Sequence, residues 1–316
     1  MREVSTHQDV SIIIEWENAL NVGAHRTQAM LRELARQLND EPGGNLKVTE
    51  IISVFDPTNI AEPDVRAAID ATLSGNDKNL TIKFLPAPGA NYYAQKNIGV
   101  SSAAGTIVLF LDSDVVPENG WLREVLKPFD DPAITIVGSA VYLEHRTLVQ
   151  KTLALIWTFE PRVAAGGLRE AQGYFANSVA FRRDTFMSDP FEVQNDRARG
   201  ACSRQAQRFL DRGVIIYRSA DARLEHPAPE GVVGFIERAI ATGRDSAVGG
   251  RRGWPRSLMR AIVRGRRLLL YRRRVGLPVW QIPGAAVVAA CWWTCIALGG
   301  IATMVAPRYM KRRFLL

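Results

Sequence analysis

Residues Thr106–Asp114, which read TIVLFLDSD, decide the fold of this chain. Six apolar or β-branched residues lead directly into Asp112 and Asp114, two carboxylates that are one residue apart. A short apolar run of this kind is typical of a strand buried within a sheet. In open α/β sheets the carboxyl ends of the strands form the edge at which ligands bind. The stretch therefore predicts an acidic site at the rim of a sheet.

The two carboxylates have two interpretations. Mg²⁺-type sites use one or two carboxylates together with phosphate oxygens of the substrate, so the pair suggests a site for a metal-bound phosphate compound. Asp and Ser are also common turn residues, because their side chains bind nearby backbone. Taken alone, a D-x-D after a strand is more often such a turn, and the surrounding sequence has to decide.

Strand patterns and helix patterns alternate before this stretch. The predicted strands are Val10–Ile14, Leu46–Phe55 and Leu80–Leu85, and the predicted helices are Ala24–Leu38, Pro63–Leu73 and Tyr92–Ala104. This alternation predicts an α/β fold with a doubly wound, mostly parallel central sheet.

The alternation loosens after Trp121. The predicted strands there are Ala133–Leu143, Gly173–Arg182, Val214–Tyr217 and Ala220–Glu225, and the predicted helices are Thr147–Phe159, Arg204–Arg212 and Val232–Thr242. We expect the folded body to end near Glu230.

The positive charge is concentrated near the C-terminus. The chain has 316 residues, an apolar content of 47% and a formal net charge of +8. Arg251–Arg274 holds ten arginines and no acid, and Val279–Val305 follows with no charge at all. About 20 apolar residues are enough to cross a bilayer as a helix. We therefore expect a transmembrane helix at 279–305, with a buried helix of a soluble protein as the alternative.

The arginine block is the second part of this membrane expectation. Its apolar residues are interleaved with arginines, which suits an amphipathic helix on a membrane surface; the alternatives are a solvated basic helix and a nucleic-acid arm. The positive-inside rule places the N-terminal body in the cytoplasm, at the inner (plasma) membrane, because fewer basic residues follow the apolar segment than precede it. The expected regions are 1–230 (folded body), 231–278 (basic surface region), 279–305 (apolar helix) and 306–316 (basic tail).

The opening of the chain and its cysteines indicate the compartment. Met1–Val10 is polar and lacks the hydrophobic stretch of a signal peptide. Three cysteines cannot form a disulfide framework, so we expect a reducing compartment.

Five sequence segments together resemble glycosyltransferase family 2, the nucleotide-diphospho-sugar transferases with the GT-A fold. They are VSIIIEWEN from Val10, EIISVFD from Glu50, YYAQKNIGVSSAAGTIVLFLDSDVVPENGWL from Tyr92, GYFANSVAFRR from Gly173 and RGVIIYRSADARLEHP from Arg212. Each segment is weak alone, but their order and spacing are specific. The resemblance covers Val10–Pro227.

The resemblance implies a nucleotide site. Glu15, Trp16 and Glu17 follow the first strand, where family members hold the base. Asp56 would pair with the uracil edge, or is a turn residue. Lys96 would approach ribose or phosphate, or is a solvated lysine on its helix. Glu15-Trp16-Glu17 stands where members of the family have a Pro-Thr-Tyr run.

The resemblance also implies a metal site for Mn²⁺ or Mg²⁺. Asp112 would face ribose or metal, and Asp114 would coordinate the divalent cation that bridges the two phosphates. A metal held there neutralises the charge of the leaving nucleoside diphosphate. His226 follows the last predicted strand of the body, where related enzymes present a histidine to metal or phosphate; its alternative is a surface histidine.

The acceptor side departs from the family pattern. Inverting members need a carboxylate that takes the proton of the acceptor hydroxyl, and it usually belongs to an acidic pair about a dozen residues before the equivalent of Gly213. That spacing lands on Ala201 and Cys202, so the usual base is missing. The candidate substitutes are Asp196, Glu192 and Asp189, each of which is otherwise a surface acid. Asn177 is the polar candidate on the acceptor side, or a strand residue that caps a neighbouring loop.

The leading function is an inverting glycosyltransferase that moves a sugar from a UDP- or GDP-linked donor to a hydroxyl acceptor. The membrane segment favours a lipid-linked acceptor or an envelope polysaccharide. The missing acidic pair motivates a second hypothesis, a nucleotide-sugar-binding or scaffolding subunit without turnover. A sugar-1-phosphate nucleotidylyltransferase is disfavoured by acidic Glu15–Asn18, where such enzymes carry a basic glycine-rich loop. DNA binding through the arginine block is disfavoured by the adjoining apolar segment.

Overall fold

The computed structural model describes residues 8–40, 46–73, 80–162, 164, 166–193, 200–248 and 263–314. These residues form two compact units. The first takes the described parts of Met1–Val141, Ala164–Val193 and Gly200–Glu225, and the second takes those of Tyr142–Val163 and His226–Leu316. The candidate base Asp196 and residues 251–262 of the arginine block lie outside the described residues.

Nine strands are found in the described chain. They are β1 (Gln8–Glu15), β2 (Leu46–Phe55), β3 (Thr81–Pro86), β4 (Ile107–Asp112), β5 (Val116–Pro117), β6 (Ile136–Leu143), β7 (Leu168–Glu170), β8 (Ser178–Arg182) and β9 (Tyr217–His226). Their order in the sheet is β3-β2-β1-β4-β8-β6-β9-β5, and β7 pairs with β9. The pairs β1–β2, β1–β4 and β2–β3 are parallel, whereas β8 runs antiparallel to both β4 and β6.

The helices of the first unit connect these strands. They are α1 (Ala24–Asn39), α2 (Glu62–Leu73), α3 (Tyr92–Ser102), α4 (Trp121–Leu126), α6 (Arg183–Met187) and α7 (Ala201–Asp211). The strand–helix alternation up to β4 confirms the predicted α/β class with a doubly wound, mostly parallel part. Antiparallel pairing begins with β8, which is where the alternation of the sequence patterns loosens.

The core of the first unit lies between the sheet and its helices. Phe110 of β4 is fully buried and contacts Phe181, Phe186 and Phe191, with ring centroids 5.2–6.0 Å apart. Aromatic pairs at such distances add to the free energy gained by burial. This cluster fixes β4 against β8, and so fixes the position at which β4 ends.

The second unit contains five described α-helices. They are α5 (Leu148–Ile156), α8 (Gly231–Val248), α9 (Arg267–Leu270), α10 (Ile282–Val305) and α11 (Pro307–Phe314). Within the described chain, 279–305 is the one helical segment long and apolar enough to cross a membrane, with a mean hydropathy of 1.9, and 33% of its most apolar window is buried. By itself this is weak evidence for membrane association, because a core helix of a soluble protein passes the same test of length and composition.

Candidate functional site

The site lies at the point where the strand order reverses. From β1 the chain proceeds through β2 to β3 on one side, and then crosses to β4 on the other side of β1. Ligands of doubly wound sheets bind at the carboxyl ends of the strands next to such a reversal. The last residues of β1 and β4, Glu15 and Asp112, are register partners across this boundary. The reversal therefore places two carboxylates side by side at the rim.

Asp112 is fully buried and accepts hydrogen bonds from four side chains. Lys96 Nζ lies 2.6 Å from Oδ1, and the Tyr92 hydroxyl lies 2.9 Å from Oδ2. Asn18 Nδ2 and Asn177 Nδ2 donate to Oδ2 at 3.0 and 2.6 Å. The donors come from the segment after β1, from α3 and from the residue that precedes β8. Asp112 therefore joins three separate segments around the end of β4.

Lys96 is the cationic partner of this carboxylate. Its side chain has 0% exposure, and its ammonium lies 4.6 Å from the ring centroid of Tyr92 and 5.0 Å from that of Phe110. An exposed helix lysine, the alternative meaning of Lys96, is excluded. A buried charge needs a partner of opposite sign, and here that partner is Asp112.

Asn177 uses both its side chain and its backbone on Asp112. Besides the bond from its amide side chain, its carbonyl accepts a hydrogen bond from the Asp112 N–H at 2.9 Å. Asn177 therefore fixes the end of β4 to the residue that precedes β8.

Glu15 is a second fully buried carboxylate at the rim. Asn18 donates to it from both its backbone N–H (3.2 Å) and Nδ2 (2.9 Å). Burial first, and the neighbouring charge of Asp112 second, raise the pKa of Glu15 well above its ordinary value. Asn18 thus bridges Glu15 and Asp112, whose negative charges repel each other.

Glu17 extends this acidic group toward β2. Burial, followed by the charges of Asp112 and Asp56, raises the pKa of Glu17 to about 7, although a hydrogen bond from the Tyr92 backbone N–H lowers it. The electrostatic influence of both aspartates shows that the ends of β2 and β4 come near Glu17. The carboxylates expected after the first, second and fourth strands therefore lie in one neighbourhood.

Asp56 ends the run of β2 and organises the following loop. Its Oδ1 accepts from the Thr58 N–H (2.9 Å) and hydroxyl (2.7 Å), and its Oδ2 accepts from Asn59 Nδ2 (3.2 Å). Burial alone would raise the pKa of Asp56, but these bonds and one from the Gly89 N–H lower it below its ordinary value. The turn geometry that was the alternative for Asp56 is thus present.

Asp114 is held from its main chain. Arg26, in the first turn of α1, donates from Nε to the Asp114 carbonyl at 2.8 Å. The same guanidinium donates from Nη2 to the Glu225 carbonyl at 2.7 Å and forms an ion pair with the Glu225 side chain at 3.3 Å. The Asp112–Asp114 turn is therefore held to the end of β9.

Trp16 is part of the packing beneath the rim. It is 3% exposed, and its indole N–H donates to the hydroxyl of Ser53 in β2. Its backbone N–H lies 3.3 Å from Gln95 Oε1 and 3.1 Å from the Val54 carbonyl. The structure therefore places this indole against β2.

Two of the three acids predicted as substitutes for the missing base, Asp189 and Glu192, belong to an ion-pair network. Asp189 accepts from Arg208 at 2.8 Å and from Arg212 at 2.8 Å. Glu192, whose side chain is 44% exposed, pairs with Arg204 at 3.3 Å and with Arg208 at 2.8 Å. Both acids thus bind arginines of α7.

Cys202 lies in the first turn of α7, at the spacing where the family's acidic pair falls. The Tyr93 hydroxyl is 3.5 Å from its Sγ. A thiol and a phenol therefore stand where a carboxylate base is usual.

His226 belongs to the second unit, whereas the acidic rim belongs to the first. Its Nδ1 lies 2.7 Å from the Pro227 carbonyl, and its ring packs 4.7 Å from Phe159 and 6.2 Å from Trp157. It is 5% exposed, so the alternative of a surface histidine is excluded.

A divalent metal fits this rim only when a bound phosphate compound supplies some of its ligands. Among the described residues, no group of three or more His, Cys, Asp or Glu side chains is arranged to hold a metal ion. The two carboxylate oxygens of Asp112 already accept hydrogen bonds from four side chains. A hard cation would therefore take one carboxylate from Asp114 and most of its other ligands from phosphate oxygens, a division that is common for Mg²⁺.

Sequence reasoning missed three residues that hold the rim in place: Asn18, Arg26 and Tyr92. A signal existed for Tyr92, because it stands four residues before Lys96 and residues at this spacing share one face of a helix. No comparable signal marks the bond of Asn18 to Asp112 or that of Arg26 to Asp114, since these partners lie 94 and 88 residues away in the chain.

One comparison with known proteins identifies a family. A family model described as Glycosyl transferase family 2 matches residues 18–187. Two pre-mycofactocin glycosyltransferases, from two strains of Mycobacterium tuberculosis, are 40% identical over 48 residues. This stretch is 15% of the chain and 10% of each relative, so the chain matches about a tenth of the length of these relatives.

Two solved structures resemble the chain. The mannosyltransferase PcManGT from Pyrobaculum calidifontis, in complex with GDP-Man and Mn²⁺, is 17% identical with a TM-score of 0.52, and the match covers 97% of this chain and 82% of that one. GalNAc-T7, with UDP, GalNAc and Mn²⁺, is 13% identical with a TM-score of 0.50, and the match covers 70% of this chain and 44% of that one. At such identities the likeness concerns the fold, which is GT-A. Since the family model spans more than half of the residues, the chain belongs to glycosyl transferase family 2.

Proposed function

We propose that this protein is an inverting glycosyltransferase that moves a sugar from a UDP- or GDP-linked donor to a hydroxyl acceptor. The observation that carries the proposal is the acidic rim at the reversal of strand order, where Asp112 is locked in place and Asp114 follows two residues later. Family membership and the GT-A fold support it. The nucleotide-linked sugar in one solved neighbour and the nucleotide in the other favour such a donor.

Each rim residue has a proposed part in this reaction. Asp114 is the ligand of a divalent cation, Mn²⁺ or Mg²⁺, and the cation supplies positive charge to the departing nucleoside diphosphate. Asp112, with Lys96 and Asn177, holds the turn that presents Asp114. We assign Glu17 and Asp56 to the base of the donor nucleotide, and Glu15 to support of Asp112. His226 stays a candidate for metal or phosphate.

The acceptor base is assigned by elimination of weaker candidates. Asp189 and Glu192 bind arginines of α7, which leaves them poorly disposed to take a proton. Asp196, which lies outside the described residues, is our candidate. Loss of transfer with retained donor binding in Asp196→Asn would support it.

We propose that the protein acts at the inner membrane with its catalytic domain, residues 1–230, in the cytoplasm. Residues 231–278, the apolar helix 279–305 and the tail 306–316 would provide the attachment. Confinement to a membrane favours a lipid-linked or envelope-polysaccharide acceptor. Crossing the bilayer and lying in one leaflet are both compatible with the length and composition of the helix.

The proposal is tested by donor binding and turnover of the purified full chain. The melting temperature is measured with a panel of nucleotide sugars, with and without Mn²⁺, because a ligand that binds the folded state raises it. We expect metal-dependent stabilisation by a UDP- or GDP-sugar, and its loss in Asp114→Asn. Asp130→Asn, which alters an exposed acid of the same unit, is the matched control and should behave as the wild type. Stabilisation that is independent of metal would contradict the assigned role of Asp114.

A second function is favoured by the ion pairs of Asp189 and Glu192 and by Cys202 at the position of the usual base. The protein would then be a nucleotide-sugar-binding or scaffolding subunit without turnover. Release of nucleoside diphosphate from the donor that binds best, dependent on Asp114, would reject this alternative.

A further inference from the structure

Helix α10 has two different faces along its whole length. Its buried residues are Ala285, Ala289, Trp292, Ile296, Gly299, Gly300 and Thr303. Its most exposed line of residues is Pro283, Val287, Ala290, Thr294, Leu298, Ile301 and Val305. Both lines follow the spacing of three and four residues that defines one side of a helix. One side of α10 is thus covered by protein, and an uncharged side is open.

Helix α8 covers part of the buried side and runs in the same direction as α10. Phe235 contacts Trp292 with ring centroids 5.1 Å apart, and further along both helices Gly243 lies against Ile296 and Gly300. A Cβ atom added at Gly243 would overlap the carbonyl of Ile296. The backbones of the two helices are therefore in direct contact, and α8 must lie at the same depth as α10 in any membrane.

This shared depth is the difficulty for a helix that crosses the bilayer. The part of helix α8 that packs alongside α10 carries four charged residues: Glu237, Arg238, Arg244 and Asp245. Arg244 is 1% exposed and forms an ion pair with Asp245 at 2.7 Å. If α10 spanned the hydrocarbon layer, these four side chains would enter it as well, and charged side chains are costly at that depth.

The tail after α10 points to the same conclusion. Arg313, in α11, forms an ion pair with Glu237 of α8. Glu237 precedes the contacts at Gly243, so it lies beside the middle of α10. A spanning α10 of 24 residues, about 36 Å long, would place Arg313 beyond the far surface of a bilayer about 30 Å thick. The chain instead turns back after α10 and returns to α8.

We propose that α10 lies within one leaflet of an anionic membrane, with Val287, Leu298 and Ile301 among the acyl chains and α8 on the headgroup side. Both ends of α10 then stay on one side of the membrane. The charges of α8 and α11 remain at the level of headgroups and water, which is the arrangement of an interfacial helix.

Charge complementarity identifies the lipid. The described residues 263–314 contain no acid, and their basic residues are Arg264, Arg266, Arg267, Arg272, Arg273, Arg274, Arg308, Lys311, Arg312 and Arg313. Basic residues beside an apolar insertion bind anionic headgroups. A second copy of the chain would meet the same positive charge, which disfavours a dimer through this face.

The topology is tested in a bacterial host with the full chain carrying one epitope tag at each end. Protease is added to spheroplasts and to inverted inner-membrane vesicles. We expect both tags to be digested in inverted vesicles and neither in spheroplasts. Digestion of one tag in each preparation would overturn the proposal, because only a spanning helix separates the two ends. The readout does not depend on catalysis, so failure of the proposed reaction would leave it intact.

The binding face is tested with purified protein and phosphatidylglycerol-containing vesicles. Leu298→Glu should lower the fraction bound by about tenfold or more, since a charge on the inserted face opposes insertion. Met187→Glu, at an exposed apolar residue of the first unit, is the matched control and should bind as the wild type. If Leu298→Glu fails to fold by circular dichroism, Thr294→Glu replaces it at an exposed position. Unchanged vesicle binding by a folded Leu298→Glu or Thr294→Glu variant would overturn the proposal. A wild-type dimer that dissociates on either of these two substitutions would overturn it as well.

Discussion

The side chain with most bearing on the site is Asp112, because its carboxylate is shared by donors from three segments. Its bond to Lys96 is an ion pair between two fully buried groups. Breaking such a pair is more costly than losing an exposed one, since the partner is left as an uncompensated buried charge. The rim therefore depends on this pair for its shape before any ligand binds.

The first prediction concerns this pair. Asp112→Asn should lower the free energy of unfolding by about 3–5 kcal/mol, because Lys96 loses its buried counter-charge. The double variant Asp112→Asn/Lys96→Met should be less destabilised than the sum of the two single variants. Chemical denaturation in a double-mutant cycle measures both. Arg36→Met, which breaks an exposed pair with Glu33, is the control and should cost at most about 1 kcal/mol. Additive losses would show that the two charges do not interact.

A second prediction follows from the raised pKa of Glu17. Between the ordinary value of 4.5 and about 7, the folded state keeps a proton that the unfolded chain has lost. The free energy of unfolding should therefore fall as the pH rises through this window. Glu17→Gln carries no such proton, so it should be more stable than the wild type at pH values above about 7 and similar below 4.5. Melting temperatures across this range measure the difference, and parallel curves for the two proteins would refute the shift.

The sequence predicted part of this residue-scale picture. The spacing of Asp112 and Asp114 after an apolar run placed both at the end of a strand, and the structure agrees. The buried state of Lys96 was not predictable from one chain, because it depends on how α3 lies over β4. The same limit applies to Arg26, whose partners are carbonyl groups that carry no side-chain signature.

Among the elements, helices α8 and α10 pack with their backbones in direct contact. Gly243 and Gly299 each face a backbone carbonyl of the other helix, from Ile296 and Ile240 respectively. Small residues allow such an approach, and any larger side chain would separate the two helices.

The third prediction tests this contact. Gly299→Ala should destabilise the second unit by roughly 1–3 kcal/mol, the usual cost of overpacking. Gly234→Ala lies in α8, where the nearest atom to an added Cβ is 3.8 Å away, so it should be neutral or slightly stabilising because alanine favours a helix. Thermal unfolding followed by circular dichroism compares the two variants. Equal stability of both would contradict the close approach.

Sequence patterns located most elements and misjudged a few. Strand β2 begins and ends where predicted, at Leu46 and Phe55. Of the two strands predicted before His226, Ala220–Glu225 lies within β9, whereas Val214–Ile216 is outside any strand; β9 begins at Tyr217 because β7 pairs with Tyr217–Ser219, and β5 pairs with Leu224–Glu225. Such pairing depends on segments that are distant in the chain, so the local sequence does not indicate it. Helix α11 was not predicted, since its basic sequence lacks a buried face.

At the scale of the whole molecule, charge is unevenly divided. The net charge of +8 contrasts with an acidic rim in the first unit, and ten basic residues lie in 263–314 without an acid. A field of this kind steers the protein toward anionic surfaces and is screened by salt.

A fourth prediction concerns this field. Binding of the full chain to anionic vesicles should weaken by about tenfold or more between about 0.1 M and 1 M salt, because screening shortens the reach of each charge. Binding to neutral vesicles should be weaker and nearly independent of salt, since only apolar insertion remains. Co-sedimentation at both salt concentrations measures the two cases. Equal salt dependence on both lipids would assign the binding to something other than headgroup charge.

The hydrogen bonds of Arg26 have a consequence for mutagenesis of this rim. Besides its ion pair with the Glu225 side chain, Arg26 donates to the carbonyl oxygens of positions 114 and 225, which every amino acid possesses. The hydrogen bond from Arg26 to position 114 therefore does not depend on the side chain at that position. A replacement there removes one functional group while the hydrogen bond from Arg26 to the backbone of that position is kept.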